Sequence, residues 1–254
     1  TVVNNGTLAL GSAGSIASSS GVDLVTAGTR LDISGGTDQT IQALSGVAGS
    51  TVNLGPFTLT VGNGTSTTYA GTIAGTTPLN GLTKQGSGTL TLTGVETYIG
   101  PTTVNAGTLV IVSSGSIAST ALAGGNAGSV AVNVSGTLTV DGTGASEMFP
   151  SGIFALALAG SAGNAGQVDV TADTLNVVND HAAVSTTTFG AGVAGKVTVA
   201  ANNLSVTAGG SISSQTFSGA NAGEVDVVAG DLSIDGGSIA TSTFDAGNAG
   251  RLHV

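Results

Sequence analysis

Asn221-Ala-Gly-Glu-Val-Asp-Val227 is one copy of a pattern that returns throughout the second half of the chain. The other copies begin at Asn126, Asn164, Val193 and Asn248. The glycines of successive copies lie 38, 29, 28 and 27 residues apart. Such spacing is typical of a repeat architecture, in which each repeat forms one structural unit that packs on the next.

Each copy continues into short segments in which apolar and polar residues alternate, and this alternation predicts β-strands. In the copy that begins at Val193, the segments are Val197–Val199, Leu204–Val206 and Ser211–Phe217. Glycine and asparagine between the segments are expected to supply the positive φ angles of tight corners. Three strands in roughly 27 residues, at ~3.3 Å per residue, have the contour of one turn of a three-sided coil. We therefore predict an all-β fold, a parallel β-solenoid of about ten turns.

The first half of the chain is less regular but of the same kind. It holds short alternating segments separated by glycine, at Leu24–Val25, Leu31–Ile33, Val52–Leu54, Leu59–Val61, Leu90–Leu92 and Leu109–Ile111. No polar linker divides the halves, so we predict one continuous β-helix over residues 1–254. Within it, residues 1–80 form the less regular turns, 81–124 a distinct repeat, and 125–254 repeats of about 27–29 residues.

Equivalent residues of successive turns should stack, and three phenylalanines occupy equivalent positions. Phe189, Phe217 and Phe244 each follow a Ser/Thr-rich strand. We expect them to form an aromatic column in the core.

A second column is predicted on an outer face. Lys196, Glu224 and Arg251 precede the first strand of their repeats, so opposite charges alternate. If the register is right, they stack about 4.8 Å apart. Exposed ion pairs of this kind contribute little to stability.

Composition excludes several classes of function. The chain has 4 basic and 14 acidic residues, a net charge of −10, and no cysteine. It therefore lacks the basic patch that nucleic acid or an anionic membrane would need, and it has no disulfide or thiolate chemistry. The longest apolar stretch, Ile153–Ala159, is shorter than the ~20 residues of a membrane span. We expect no nucleic-acid partner and no cofactor.

Residues that could carry chemistry are sparse. Enzymes built on β-helices need clustered carboxylates, or a basic residue beside a bound metal, and the acidic residues of this chain are scattered. His181 and His253 lie in different repeats, without partners at metal-binding spacing. No catalytic or metal-binding residue is therefore assigned, and no enzymatic activity is expected.

One repeat is longer than the others. The 38 residues between Gly128 and Gly166 include about ten extra residues around 143–150. Insertions in solenoids bulge outward, often on the binding face. Glu147, Met148 and Phe149 are therefore the candidate binding loop. The alternative is a loop that folds back and covers a wider part of the coil.

Residues 81–109 read Gly-Leu-Thr-Lys-Gln-Gly-Ser-Gly-Thr-Leu-Thr-Leu-Thr-Gly-Val-Glu-Thr-Tyr-Ile-Gly-Pro-Thr-Thr-Val-Asn-Ala-Gly-Thr-Leu. This segment resembles the passenger-associated strand repeat of bacterial autotransporters. Glu96 stands where that family usually has asparagine, and Pro101 stands where glycine is common; both are expected to be changes at surface turns. Residues 125–254, with their Asn-Ala-Gly-x-Val-x-Val pattern, resemble haemagglutinin-like repeats of two-partner-secretion exoproteins.

The two resemblances imply a right-handed parallel β-helix that crosses the outer membrane of a Gram-negative-type bacterium through a translocator. They imply an extracellular or surface-displayed, non-catalytic adhesin-type scaffold within a larger passenger protein. The ligand, a protein or a glycan on a host cell, a neighbouring cell or another surface, does not follow from scaffold repeats. The alternative is a purely structural stalk, or a filament subunit that associates end to end through open β-helix ends.

Overall fold

The computed structural model describes residues 1–77, 79–121 and 125–254. The strands in these residues are, in chain order, β1 (Val2–Val3), β2 (Thr7–Ala9), β3 (Val22–Leu24), β4 (Arg30–Asp32), β5 (Gln39–Ile41), β6 (Leu44–Gly46), β7 (Thr51–Gly55), β8 (Thr58–Val61), β9 (Thr67–Tyr69), β10 (Thr72–Gly75), β11 (Gly81–Lys84), β12 (Thr89–Leu92), β13 (Val95–Glu96), β14 (Thr102–Val104), β15 (Thr108–Ile111), β16 (Ser116–Ala121), β17 (Val130–Asp141), β18 (Ser151–Ala157), β19 (Val168–Val178), β20 (Ala182–Thr188), β21 (Val197–Thr207), β22 (Ser211–Thr216), β23 (Val225–Asp235), β24 (Ser238–Thr243) and β25 (Leu252–His253). The described residues contain no helix.

The strands coil into a parallel β-helix with three faces, which confirms the predicted fold class. Face 1 holds β1, β3, β6, β9, β12 and β15, and face 3 holds β5, β8, β11 and β14. Face 2 holds the strands between them, as the sheet β2-β4-β7-β10 and the sheet β13-β16-β18-β20-β22-β24. A hydrogen bond of 2.9 Å from the Thr97 N–H to the Ile73 carbonyl links these two sheets. Counted along face 1 and its continuation, the described strands make ten turns.

Faces 1 and 3 fuse from residue 130 onward, which differs from the predicted three short strands per turn. The first half of β17 pairs with β14 and its second half pairs with β15. Only Ser135 and Gly136 separate the two halves, and the chain rounds the corner there as an irregularity within one continuous strand. Strands β19, β21 and β23 repeat this long form. The predicted Val-x-Val and Leu-x-Val strands are therefore two halves of one strand.

Columns of aliphatic side chains fill the coil. One column is formed by leucines that pair in register across five turns, all of them buried: Leu90, Leu109, Leu138, Leu175 and Leu204. Burying one such side chain contributes about 1.5–3 kcal/mol. Because every leucine packs on those of the neighbouring turns, each turn stabilises the next.

The Asn-Ala-Gly corners bring the backbones of successive turns into close contact. A Cβ on Gly195 would lie 1.8 Å from the carbonyl oxygen of Gly166, and one on Gly223 would lie 2.0 Å from that of Gly195. None of these three glycines has a positive φ. Glycine is therefore required here by close approach and not by φ, which corrects the expectation from the sequence. Positive φ angles occur at other turns, such as Gly209 at 93°.

Hydroxyl groups on the inner side of face 2 form hydrogen bonds with the backbone groups of these corners. Thr186 Oγ1 and Ser214 Oγ donate to the Gly195 carbonyl at 2.7 and 2.9 Å. Ser214 Oγ also accepts a hydrogen bond of 2.8 Å from the Gly223 N–H. Since a backbone group left unsatisfied in the interior is costly, serine and threonine are suited to these inward positions.

Candidate functional site

The extra residues of the long repeat form an outward loop at residues 142–150, between β17 and β18. In the next two turns the equivalent connections have three residues each, 179–181 and 208–210. Reciprocal backbone hydrogen bonds of 3.1 and 3.0 Å between Ser146 and Phe149 hold the loop in a tight turn. Residues 146–149 are all exposed, so this part of the loop lies on the outer surface.

The loop forms one wall of a groove on the outer surface of face 2. The groove has a volume of about 360 Å³ and extends over β18, β20 and β22. We call it the face 2 groove; it is lined by Glu147, Met148, Pro150, Phe154, Leu156, Leu158, Ala183, Ser185, Thr187, Phe189, Ser211, Ser213, Gln215 and Phe217. Because alternate side chains of a strand point to opposite faces, the lining residues of each strand lie two positions apart.

The part of the groove floor that lies over β20 and β22 carries hydroxyl groups without a protein partner. Ser185, Thr187 and Ser213 are only 5 %, 6 % and 2 % exposed, and all three line the groove. Within the described part of the chain, none of their hydroxyl groups makes a hydrogen bond. Ser211, by contrast, donates to the Ala182 carbonyl at 3.4 Å. The floor therefore offers hydroxyl groups whose hydrogen-bonding capacity the protein does not use.

The three predicted phenylalanines stack, and two of them, Phe189 and Phe217, form the opposite wall of the groove. The ring centroids of Phe189 and Phe217 are 4.8 Å apart, and those of Phe217 and Phe244 are 4.5 Å apart, with interplanar angles of 10° and 5°. Phe189 and Phe217 are about half-exposed and Phe244 is 63 % exposed, so the expectation of a core column is wrong. In β22 the side chains of Ile212 and Thr216 both point inward and are buried. Since side chains alternate along a strand, the next residue, Phe217, points outward.

The three residues of the predicted binding loop separate in the structure. Glu147 and Met148 line the groove, whereas Phe149 is exposed and does not line it. Sequence reasoning missed the groove floor, including Thr187 and Ser213. Alternation along the Ser/Thr-rich strands marks these residues as outward-facing, but only stacking of the turns shows that they lie together.

An ion-pair cluster lies outside the groove, at the start of the long strands. Lys196 Nζ is 3.8 Å from Glu224 Oε2, which confirms the predicted register, and 3.2 Å from Asp226 Oδ2. Among the described residues no ion pair joins Glu224 to Arg251, so that part of the prediction is wrong. Asp226 takes the central position instead, because its second oxygen lies 3.0 Å from His253 Nδ1. Hydrogen bonds from His253 and Lys196 lower the pKa of Asp226.

Lys84, in the segment that resembles the passenger repeat, is buried. Its Nζ donates to the carbonyl oxygens of Gly86 and Ala106, each at 2.9 Å. Burial lowers the pKa of Lys84. The hydrogen bonds of the ammonium group therefore join two neighbouring turns at a corner, and the group is not available for a ligand.

Glu96 is also buried, which corrects its assignment to a surface turn. Its Oε2 accepts a hydrogen bond from the Ile73 N–H, where the two sheets of face 2 meet. Burial raises the pKa of Glu96 well above its ordinary value, and burial also raises the pKa of Tyr98, whose hydroxyl pairs with Thr102. The two-residue strand β13 points Val95 outward and Glu96 inward, so the carboxyl group lies inside the coil.

Within 1–77, 79–121 and 125–254, no three acidic or histidine side chains are grouped so that they could hold a metal ion. The described part of the chain also has no helix long and apolar enough to cross a membrane.

Comparison with known proteins agrees with the resemblance of residues 81–109. Residues 82–111 match the passenger-associated-transport-repeat family. Over 152 residues the chain is 36 % identical to the adhesin BmaC autotransporter of Brucella suis biovar 1 (strain 1330). The alignment covers 57 % of this chain and 4 % of that protein, so the chain spans a small fraction of its relative's length. No solved structure gives a significant match.

Proposed function

We propose that this chain is an adhesive, non-catalytic segment of a larger secreted or surface-displayed bacterial passenger protein. The observation that carries the proposal is the similarity over 152 residues to an autotransporter adhesin. The match of residues 82–111 to a passenger-associated repeat supports export through an outer-membrane translocator. The β-helix serves as a rod that holds the contact surface away from the cell.

The face 2 groove is the contact surface we propose. Solenoid proteins bind through surfaces that extend over several repeats, and insertions commonly lie on the binding face. The groove meets both conditions, because it spans three turns and the loop of residues 142–150 forms one wall. Its polar floor and apolar walls are the composition of a recognition site and not of a simple spacer.

The proposal is tested with the purified 254-residue chain coupled to beads and incubated with mammalian and bacterial cells. We expect saturable retention of cells that soluble chain displaces. In a short-loop variant, residues 142–150 are replaced by Asn-Asp-His, the sequence of the equivalent connection at 179–181. Retention should fall toward that of bare beads. Lys196→Met, an exposed change outside the groove, is the control and should retain cells normally.

Beads that hold no more cells than bare beads would show that the adhesive proposal is wrong. The chain would then act as a structural stalk. Electron microscopy of the same preparation distinguishes single rods from end-to-end fibres, and fibres without cell binding would indicate a filament subunit.

A further inference from the structure

We propose that the face 2 groove binds a short, uncharged segment of a glycan. The inference deepens the proposed function and rests on it, since it names the chemistry of the ligand at the same surface. It depends on three observations: the free hydroxyl groups of the floor, the apolar walls, and the absence of positive charge among the lining residues.

The floor supplies hydrogen bonds that the protein leaves unused. Ser185, Thr187 and Ser213 are more than nine-tenths buried, line the groove and have no hydrogen-bond partner among the described residues. A hydroxyl group both donates and accepts, so it matches the hydroxyl groups of a sugar whatever their orientation. The oxygens of these three hydroxyl groups are not among the described side-chain atoms that are buried without a partner, which belong to Arg30, Thr77 and Glu96, so a ligand in the groove can reach them. The amide of Gln215 adds a further donor and acceptor beside them.

The walls supply apolar contact on both sides of this floor. Met148 and Pro150 of the loop lie on one side, and Phe189 and Phe217 lie on the other. The two rings stack face to face, so their edges and not their faces are directed toward a ligand. Sugar rings carry C–H groups as well as hydroxyl groups, and they can pack against both kinds of surface at once.

Charge excludes acidic ligands. Among the described residues that line the groove there is no lysine, arginine or histidine, and the one charged residue is Glu147. The chain as a whole has a net charge of −10. A sialylated or sulfated glycan would therefore meet repulsion without a compensating cation.

Size and backbone pairing favour a glycan over a protein. The volume of about 360 Å³ lies at the lower end of the range of small-ligand pockets, about 300–1,000 Å³. A folded protein partner would need about 800 Å² of surface on each side. An extended peptide gains its affinity by pairing with a free sheet edge, and strands β18, β20 and β22 are already paired with one another.

The test is an array of neutral, sialylated and sulfated oligosaccharides, followed by calorimetric titration of the strongest neutral binder. Thr187→Val keeps the shape of the side chain and removes its hydroxyl group. Because that hydroxyl group has no described partner, we expect stability to be retained and Kd to rise about five- to tenfold. Met148→Ala, which shortens the apolar wall, should also weaken binding.

Two matched controls lie outside the groove. Thr198→Val makes the same change on a different face, in β21, and Phe149→Ala truncates an exposed side chain in the same loop. Both should leave Kd unchanged. Binding restricted to acidic glycans, or equal affinity of Thr187→Val and Thr198→Val, would overturn the inference, as would the absence of any neutral binder.

Failure of the inference can be distinguished from failure of the proposed function in the bead assay. Glycosidase treatment of the cells should abolish retention, and protease treatment that leaves glycolipids intact should not. Loss of retention only after protease treatment would point to a protein ligand, overturning the glycan inference while the adhesive function stands. Beads that retain no cells under any condition would overturn both.

Discussion

Replacing Glu96 by glutamine is expected to stabilise the β-helix, and increasingly so as the pH rises. Glu96 is fully buried, and only its Oε2 has a hydrogen-bond partner among the described residues, the Ile73 N–H. Burial raises its pKa well above the ordinary value of 4.5, so the folded protein keeps this carboxyl group protonated at pH values where the unfolded chain releases the proton. Glutamine keeps the carbonyl acceptor and cannot ionise.

The sign of the pH dependence follows from this difference. Below pH 4.5 both states hold the proton, and Glu96 contributes no pH dependence. Above that value the unfolded chain binds fewer protons, so the free energy of unfolding falls as the pH rises toward the folded pKa. The limiting slope is about 1.4 kcal/mol per pH unit for one proton. Wild type and Glu96→Gln should therefore diverge by up to about 1.4 kcal/mol for each pH unit in that window.

The assay is urea unfolding followed by far-ultraviolet circular dichroism at several pH values from 4.5 upward. Glu147→Gln makes the same chemical change at an exposed residue and should run parallel to wild type. Parallel curves for Glu96→Gln and wild type over the whole range would refute the reasoning, because they would mean that Glu96 ionises as easily in the folded state as in the unfolded state.

Three further changes test the corner, the buried lysine and the aromatic column. Gly195→Ala places a Cβ 1.8 Å from a backbone carbonyl of the preceding turn, so it should cost several kcal/mol in thermal or urea unfolding, whereas Gly11→Ala, with open space around it, should be nearly neutral. Lys84→Met removes the donor to two carbonyl groups and should lower the free energy of unfolding by about 1–3 kcal/mol. Lys196→Met removes ion pairs at the surface, so it should have a small effect that molar salt removes. Phe217→Ala removes two stacked contacts of about 0.5–1.5 kcal/mol each and should lower the urea midpoint, and a midpoint equal to wild type would show that the column adds no stability.

Much of the fold could be predicted from the sequence because its periodicity is explicit. The alternation of apolar and polar residues predicts which side chains point inward. The repeated Asn-Ala-Gly motif predicts the register that pairs Lys196 with Glu224. The fusion of two strands at Ser135 and Gly136 was missed, since a two-residue bulge and a two-residue corner look alike in sequence. The equivalent positions of the phenylalanines predict that they stack, but alternation along the strand places Phe217 on the outer side and not in the core.

Only part of the candidate site could be predicted from the sequence. The length of one repeat located the loop and drew attention to Glu147 and Met148, both of which line the groove. Alternation marks Thr187 and Ser213 as outward-facing, but no local signal distinguishes them from the other serine and threonine residues of these strands. Their place in the groove floor arises from neighbours contributed by other turns.

The sequence by itself determined the β-helix, its length in turns and the place of the insertion in the repeat that begins at Asn126. These features follow from the distances in sequence between repeated motifs, which can be read without knowing which residues meet in space. Only the tertiary structure decided where the loop of residues 142–150 lies, that it walls a groove over three turns, and that Glu96 is sealed inside the coil. The physical reason is that burial and unused hydrogen-bonding capacity depend on which side chains from other turns surround a residue, and these neighbours are brought together only when the coil closes.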